Sequence, residues 1–521
     1  MKAGLVNLPA VHASVGEHVG LEYIAAVWRR IGVEVRIWEA PPGNDVTREV
    51  AEAGLDILGF SPFHTVAPVA FNMARAAKEA CSRTHVVFGG VWSSFNAERI
   101  LDLEPAVDSV CVGEGEDTAA ELVEALRTGS DLSAIRGLVH RKDGHIVRNP
   151  GRPLRRDLDS LPFPARDMLA ARLHLRPSGY IAQVSTSRGC TGTCTFCCIN
   201  SICRLQGGPA WRGRSPENVV AELEILATKH GGPGYFFTDG DFLDPGRMGK
   251  ERARTIARLM VERRVVSPFF AFMRSDDLCH PEGERTLELL CRAGLRKVYL
   301  GVESGSPETL RLYGKRATRE QHVRAIELLR AMGVPVEIGY ILMHPWATTS
   351  EIRENTAFLK DVGQAHLLSN MCVTVQLYNG AALTARAVED GLLEADHDIM
   401  NPLAYRFLNP SIKKLSGALT HTAYSDWAKK LDMTLKHLDT WLTLSRPRAR
   451  GDSGKTVAKV QALLDRAAEA NLRFMARSCD LADTGWSPEA YREIEAELRS
   501  VCETIMAEAA SMALPMPGAS Q

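Results

Sequence analysis

The chain has 521 residues, with 62 Lys and Arg against 63 Asp and Glu and a formal net charge of −1. At about 100–200 residues per domain, that length holds two to four domains. Hydrophobic residues at 45% and charged residues at 24% are those of a globular protein. The even balance excludes a global basic field for nucleic acid, and no run reaches the roughly 18 uncharged apolar residues of a membrane span. Residues 1–9 read as a strand without a signal-peptide layout, so a cytoplasmic setting is expected.

Residues 1–132 alternate short apolar runs (Ala3–Leu8, Val33–Trp38, Ile57–Phe60, Val86–Gly89, Ser109–Gly113) with amphipathic segments such as Leu21–Arg30, Val66–Ala80 and Asp117–Arg127. That order predicts βαβ units and a doubly wound parallel sheet, with a ligand crevice beyond the carboxyl ends of the strands. The strand ends carry Asn7-Leu8-Pro9, Phe60-Ser61-Pro62, Gly89-Gly90 and Gly113-Glu114-Gly115-Glu116. Glycine at such ends lets a bulky ligand approach the backbone.

Residues 133–180 read as a connector, with a hairpin over Gly137–Val147 and a strap containing Leu161-Pro162-Phe163-Pro164. Over 181–380 the alternation returns. Candidate strands are Tyr180–Ser185, Gly234–Thr238, Phe269–Arg274, Lys297–Gly301, Val336–Leu342 and Met371–Leu377. Six such units predict a partial (β/α)6 barrel of the TIM type, whose chemistry gathers at the carboxyl ends of the strands. Residues 381–521 predict a helical domain: His421–Leu444, Lys455–Arg477 and Pro488–Ala513, then a disordered tail from Pro515.

Twelve cysteines in a large chain without a secretion signal favour metal or redox chemistry over disulfides. Four of them lie within residues 190–198. Cys190, Cys194 and Cys197 form C-x3-C-x2-C in a loop after a strand, a set able to ligate three irons of a [4Fe-4S] cluster and leave the fourth open. Zinc is the rival reading, although a structural zinc site calls for a second Cys or His pair. The plainest alternative is that these cysteines only pack a glycine-rich loop.

With an aromatic, Phe196, before its third cysteine, this motif resembles that of the radical S-adenosylmethionine (SAM) superfamily. The resemblance implies that the amino and carboxylate groups of SAM chelate the open iron and that the reduced cluster splits SAM into methionine and a 5′-deoxyadenosyl radical. It also implies SAM contacts at later strand ends: Asp239 and Asp241 after the second, Arg274 and Ser275 after the third, and Glu303 and Ser304 in a Gly-Val-Glu-Ser-Gly-Ser run after the fourth. The competing readings are helix caps for the aspartates and a rim ion pair for Glu303.

The first sheet then resembles the Rossmann-like cobalamin-binding domain of cobalamin-dependent radical SAM enzymes. The resemblance covers roughly residues 1–380. It implies that Ser61, Phe63 and His64 face the corrin and that Gly89, Gly90, Gly113, Glu114 and Gly115 line a slot for the nucleotide tail. No D-x-H-x-x-G run is present; the loop residues His12 and His64 could each approach the corrin, the plainer reading of either being a solvated or capping residue. The activity implied is a C-methyltransferase that moves a methyl group from SAM, through methylcobalamin, to a carbon of a small-molecule or short-peptide natural-product intermediate. The electron donor implied is a flavodoxin or ferredoxin. The alternatives are a non-methylating member performing ring contraction or oxidative cyclisation and, in another class, a metal- or cluster-carrying binding protein. A substrate pocket is expected among the barrel-mouth residues Tyr340, Met343, His344, Trp346 and Tyr378.

Overall fold

The computed structural model describes residues 1–9, 17–41, 43–175, 181–393, 399–445, 452–512 and 514. His12, Tyr180 and the tail from Pro515 lie outside the described residues.

The first sheet contains β1 (Lys2–Asn7), β2 (Glu34–Glu39), β3 (Ile57–Phe60), β4 (His85–Phe88), β5 (Ser109–Cys111), β6 (Leu138–Lys142) and β7 (His145–Arg148), in the order β2-β1-β3-β4-β5-β6-β7. The pairs among β1–β5 are parallel. The hairpin β6–β7 adds on antiparallel to β5, so the sheet is mixed, and the hairpin read as connector extends its edge. The sheet is covered on both faces. One core holds Phe60, Phe71 and Phe88, and the other holds Trp28, Leu122 and Val123. This two-sided burial is why its inner strands are apolar without alternation.

The second sheet runs β14-β13-β12-β11-β8, all parallel: β8 (Ile181–Val184), β11 (Gly234–Phe237), β12 (Phe269–Arg274), β13 (Leu295–Glu303) and β14 (Val336–Tyr340). A small antiparallel pair, β9 (Ser187–Gly189) and β10 (Trp211–Gly213), lies beside it. The sixth candidate strand, Met371–Leu377, joins through one parallel bridge, Met343 to Thr374, so the barrel wall is five strands and a fragment. Its helices begin with sequence-legible caps. Ser215 accepts from Asn218 N, and Thr318 and Thr348 form capping boxes with Gln321 and Glu351.

The reading of one helix over His421–Leu444 resolves into two, Pro410–Tyr424 and Asp426–Ser445, broken at Ser425. With Asp452–Thr484 and Pro488–Ser511 they share a continuous apolar core with the barrel, in which Leu415, Phe474 and Ile505 join Phe237, Leu300 and Phe358. The strap is tied to both halves by Arg166. Its Nη1 donates to both Glu17 oxygens at 2.9 and 3.1 Å and to Gln183 O at 2.8 Å, while its Nη2 meets Glu222 at 2.5 Å.

Candidate functional site

The cysteine loop starts at a position only glycine fits. Gly189 has φ +82°, and a Cβ there would stand 1.8 Å from Ala210 O. The loop is then fastened on two sides. Asp244, just past β11, accepts from Thr191 N at 2.5 Å and from its hydroxyl. The turn after the helix Pro307–Leu312 accepts from Thr193 Oγ1, Thr195 N and Thr195 Oγ1 at 2.7–2.9 Å. Threonine in three of the positions between and beside the cysteines thus supplies the hydroxyls that anchor the loop.

Burial pushes the thiols of Cys190 and Cys197 up to about 12 and about 11, and raises that of Cys194. The guanidinium of Arg274, 3.7 Å from Cys190 Sγ, and Lys315 near Cys194 pull the other way. Thiolates in this setting need a cationic centre beside them, and iron supplies one. Among the described residues, the one group of three donors within 4.8 Å of one another is Asp241, Asp244 and Asp277. No three cysteine sulfurs meet that limit, whereas a zinc thiolate site packs its sulfurs within about 4 Å. The donor set fits a multi-iron cluster better than a single ion.

Arg274 is the hub of the barrel rim. It lies 2.7 Å from Asp277, 3.3 Å from Asp276, 3.4 Å from Asp241 and 3.5 Å from Asp244. Asp241 is 1% exposed, and its Oδ2 has no hydrogen bond. Burial, then the neighbouring Asp277 carboxylate, push its acid well above the ordinary range. Glu303 ends β13 at φ +70°, a strained conformation for a residue with a side chain, and its carboxylate lies 3.7 Å from Lys315 Nζ.

The rim therefore brings Arg274, Asp241 and Glu303 to the cysteine loop, and Phe196 packs edge-on against Tyr313 at 5.3 Å. It places the other expected rim residues differently. Asp239 accepts from Thr186 N at 3.3 Å, Thr186 Oγ1 at 2.7 Å and the Ser187 hydroxyl. Ser275 pairs with His322 Nδ1 at 2.7 Å, and Ser304 donates to Asn355 at 2.7 Å. All three are buried and occupied by protein partners. Tyr340, Met343 and His344 are likewise buried, which corrects the expectation that they line the mouth; Trp346 is half-buried and Tyr378 is exposed, at 39%.

A cavity of about 340 Å³ opens at the carboxyl ends of β3, β4 and β5. Ser61, Gly89, Gly90, Gly113, Glu114 and Gly115 line it, as do Ile24 and Trp28 of the helix Val19–Arg30. Gly90 and Gly113 both have φ +85°, and a Cβ would meet Ser61 Oγ at 2.3 Å or the Gln206 side chain at 2.1 Å. Such a glycine cradle with carbon walls fits a flat nucleotide base. Phe63 is 54% exposed and, like His64, is not among the lining residues; burial lowers the pKa of His64.

The sequence reading missed His18. It lines the cavity, caps the helix by accepting from Leu21 N at 3.2 Å, and is kept neutral by burial. A polar residue just before an apolar helical period was the available signal. It also missed the seam. Ser185, Arg188 and Thr238 reach the cavity from the barrel side. Arg188 pairs with Glu116 at 2.6 Å, Arg212 with Glu114 at 2.7 Å, and Gln206 Oε1 accepts from Glu114 N at 2.8 Å. The wall of the slot thus includes a residue two positions before Cys190.

Comparison with known proteins gives a model for the B12 binding domain matching residues 9–123 and one for the radical SAM superfamily matching residues 184–356. The uncharacterized methyltransferase PH0819 of Pyrococcus horikoshii is 28% identical over 406 residues, covering 77% of this chain and 84% of that protein. The anaerobic magnesium-protoporphyrin IX monomethyl ester cyclase of Rubrivivax gelatinosus is 26% identical over 61% of this chain and 56% of its own. The solved structure of the cobalamin-dependent SAM radical enzyme OxsB, with aqua-cobalamin and SAM bound, aligns with TM-score 0.75 and 18% identity over 98% of this chain and 80% of that one. At that identity the structural likeness speaks for the fold.

Proposed function

From a chain that joins a cobalamin-binding domain to a radical SAM domain, we propose an enzyme that acts on a carbon of a small molecule by cobalamin-dependent radical chemistry. Ring contraction or oxidative cyclisation is the leading outcome. The relative named as a cyclase supports that order. Methyl transfer is the second reading, favoured by the 28%-identical relative named as a methyltransferase. The observation that carries the proposal is the shared wall, in which Arg188 lines the cofactor slot two residues before Cys190.

When bound, the cluster with SAM supplies a hydrogen-abstracting carbon radical, and cobalamin supplies an electron- or methyl-carrying centre. The residues supply placement. Cys190, Cys194 and Cys197 hold the cluster. Arg274 sets a positive charge against the Cys190 sulfur and keeps Asp241, Asp276 and Asp277 from repelling the bound anions. Glu303, strained at the strand end, presents its carboxylate to the SAM side of the rim. The cradle of Gly89, Gly90, Gly113 and Gly115 admits the cobalamin tail, and a flavodoxin or ferredoxin serves as reductant. Among the described residues no helix is long and apolar enough to cross a membrane.

Anaerobic iron and sulfide analysis tests the cluster. Cys190→Ala, Cys194→Ala and Cys197→Ala together should abolish iron binding and the broad near-blue absorbance, and a zinc-loaded, colourless wild type would refute the radical reading. Methyl-deuterated SAM separates the two outcomes. Deuterated methyl in the product, with matching S-adenosylhomocysteine, supports methyl transfer, and 5′-deoxyadenosine release with no label in the product supports ring chemistry.

A further inference from the structure

The helical domain packs beside the base of the barrel and leaves a cavity of about 760 Å³ between them. One wall comes from the last turns of two barrel helices, Arg319–Ala331 and Thr349–Asp361, and from residues 363–366 after the second. The other wall comes from the helices Asp426–Ser445 and Asp452–Thr484. Turns that follow barrel helices lie at the amino ends of the strands, whereas the cysteine loop follows a strand. The cavity is therefore at the opposite end of the barrel and shares no residue with the cofactor slot.

An unpartnered histidine belongs to this wall. His366 is 3% exposed, and its buried Nε2 has no hydrogen-bond partner. Burial lowers its pKa, so the ring is neutral, and the Gly363 carbonyl accepts from its other nitrogen. Nε2 then presents a lone pair, an acceptor without a donor. Asn471 pins the backbone behind the ring, donating to Ala365 O at 3.1 Å and His366 O at 2.9 Å. A buried acceptor left unpaired is costly, and native proteins supply its donor. The charges around it divide in two. Arg330 donates to Val362 O and Gly363 O, Arg473 meets Glu469 at 3.4 Å, and Gln461 donates to Asp465 at 2.6 Å. Asp439 and Lys360 also line the cavity, yet neither has a hydrogen bond or ion pair among the described residues. Asp439 is the charge that acts most strongly on the His366 ring. Leu442, Leu464 and Leu472 supply an apolar wall.

We propose that this cavity binds a free amino acid with a large apolar side chain. An ammonium group brings three donors, enough for the Asp439 carboxylate and the His366 lone pair together. The ligand's carboxylate answers the uncommitted Lys360, and its side chain lies against the leucines. A free amino acid is a small molecule that carries all three features. Bound there, it bridges two parts of the chain, because Lys360 and His366 belong to the barrel and Asp439 to the helical domain. The site does not depend on the radical chemistry at the other end.

The test uses the reconstituted holoenzyme saturated with SAM, so that an added amino acid cannot chelate the cluster. It is titrated anaerobically by calorimetry with L-phenylalanine and with two analogues that each lack one charged arm, phenethylamine and 3-phenylpropanoate. Phenylalanine should bind, and each analogue should bind at least about tenfold more weakly. Asp439→Asn should weaken phenylalanine about tenfold and leave 3-phenylpropanoate unchanged. Lys360→Met should weaken phenylalanine and leave phenethylamine unchanged. No binding of phenylalanine, equal affinity for the three compounds, or an affinity that neither variant moves would overturn the proposal. Neither side chain holds a protein partner, so both variants should fold. Should one fail by circular dichroism, the other variant and the wild-type comparison of the three compounds still decide.

Discussion

The slot in the first domain and the rim of the barrel meet at Arg188 and are built from different materials. The slot is walled by Leu5, Ile24, Trp28 and Val87 and floored by glycines in left-handed backbone. The rim gathers Asp241, Asp244, Asp276 and Asp277 around one guanidinium, with Lys250 also paired to Asp277. A carbon-walled slot selects by shape, because it offers a neutral flat group removal from water and little else. A rim of fixed charges selects by electrostatics, because its ion pairs are already oriented before any ligand arrives. The lesson is that the two sites should fail in different ways: the slot when atoms are added, the rim when a charge is removed.

The largest effect should come from Arg274→Met. Removing the one cation shared by four aspartates leaves buried carboxylates uncompensated, a loss of about 3–5 kcal/mol. Denaturant unfolding and iron content should both fall, with cobalamin content falling less. Equal loss of both cofactors would erase the contrast. Next comes Gly113→Val. A β-branched residue at φ +85° is disfavoured by about 1–2 kcal/mol before its clash with Gln206 is added. Cobalamin per chain should drop at least about tenfold, a loss of about 1.4 kcal/mol in binding, with iron per chain unchanged. Loss of iron instead would show that the slot and the loop are one cooperative unit.

The smallest effect is a pH dependence where the slot's helix meets the strap. Burial, then the nearby Glu17 carboxylate, hold Glu22 protonated up to about 9, against 4.5 for the free side chain. Its folded-state pKa is raised, so its contribution is fullest below pH 4.5 and declines as pH rises toward 9 while only the unfolded chain ionises. Glu22→Gln should therefore raise Tm by about 2–4 °C near pH 8 and by less near pH 5. An equal gain at both would place the effect in packing rather than ionisation.

The parts legible from sequence were those set by neighbours along the chain. The C-x3-C-x2-C spacing, the glycines at strand ends and the βα alternation are local patterns, and the structure carries them at the stated places. What escaped was set by neighbours in space. Asp239, Ser275 and Ser304 stand at the expected strand ends. Their side chains answer instead to Thr186, His322 and Asn355, which are 47–53 residues away. Asp244 holds Thr191 from 53 residues away. His18 and Gln206 reach the slot from elements that carry no motif.

The sequence by itself carried the cysteine spacing and the strand-end glycines on which the resemblance to cobalamin-dependent radical SAM enzymes rests, because both are requirements set within a few residues along the chain. Tertiary structure alone decided which rim residues stay free and where the seam between domains runs. Those outcomes depend on strand order and on a sixth strand reduced to one bridge. The same alternating pattern suits a closed wall and an open one, so strand order in space, and not spacing along the chain, sets which side chains meet at the rim.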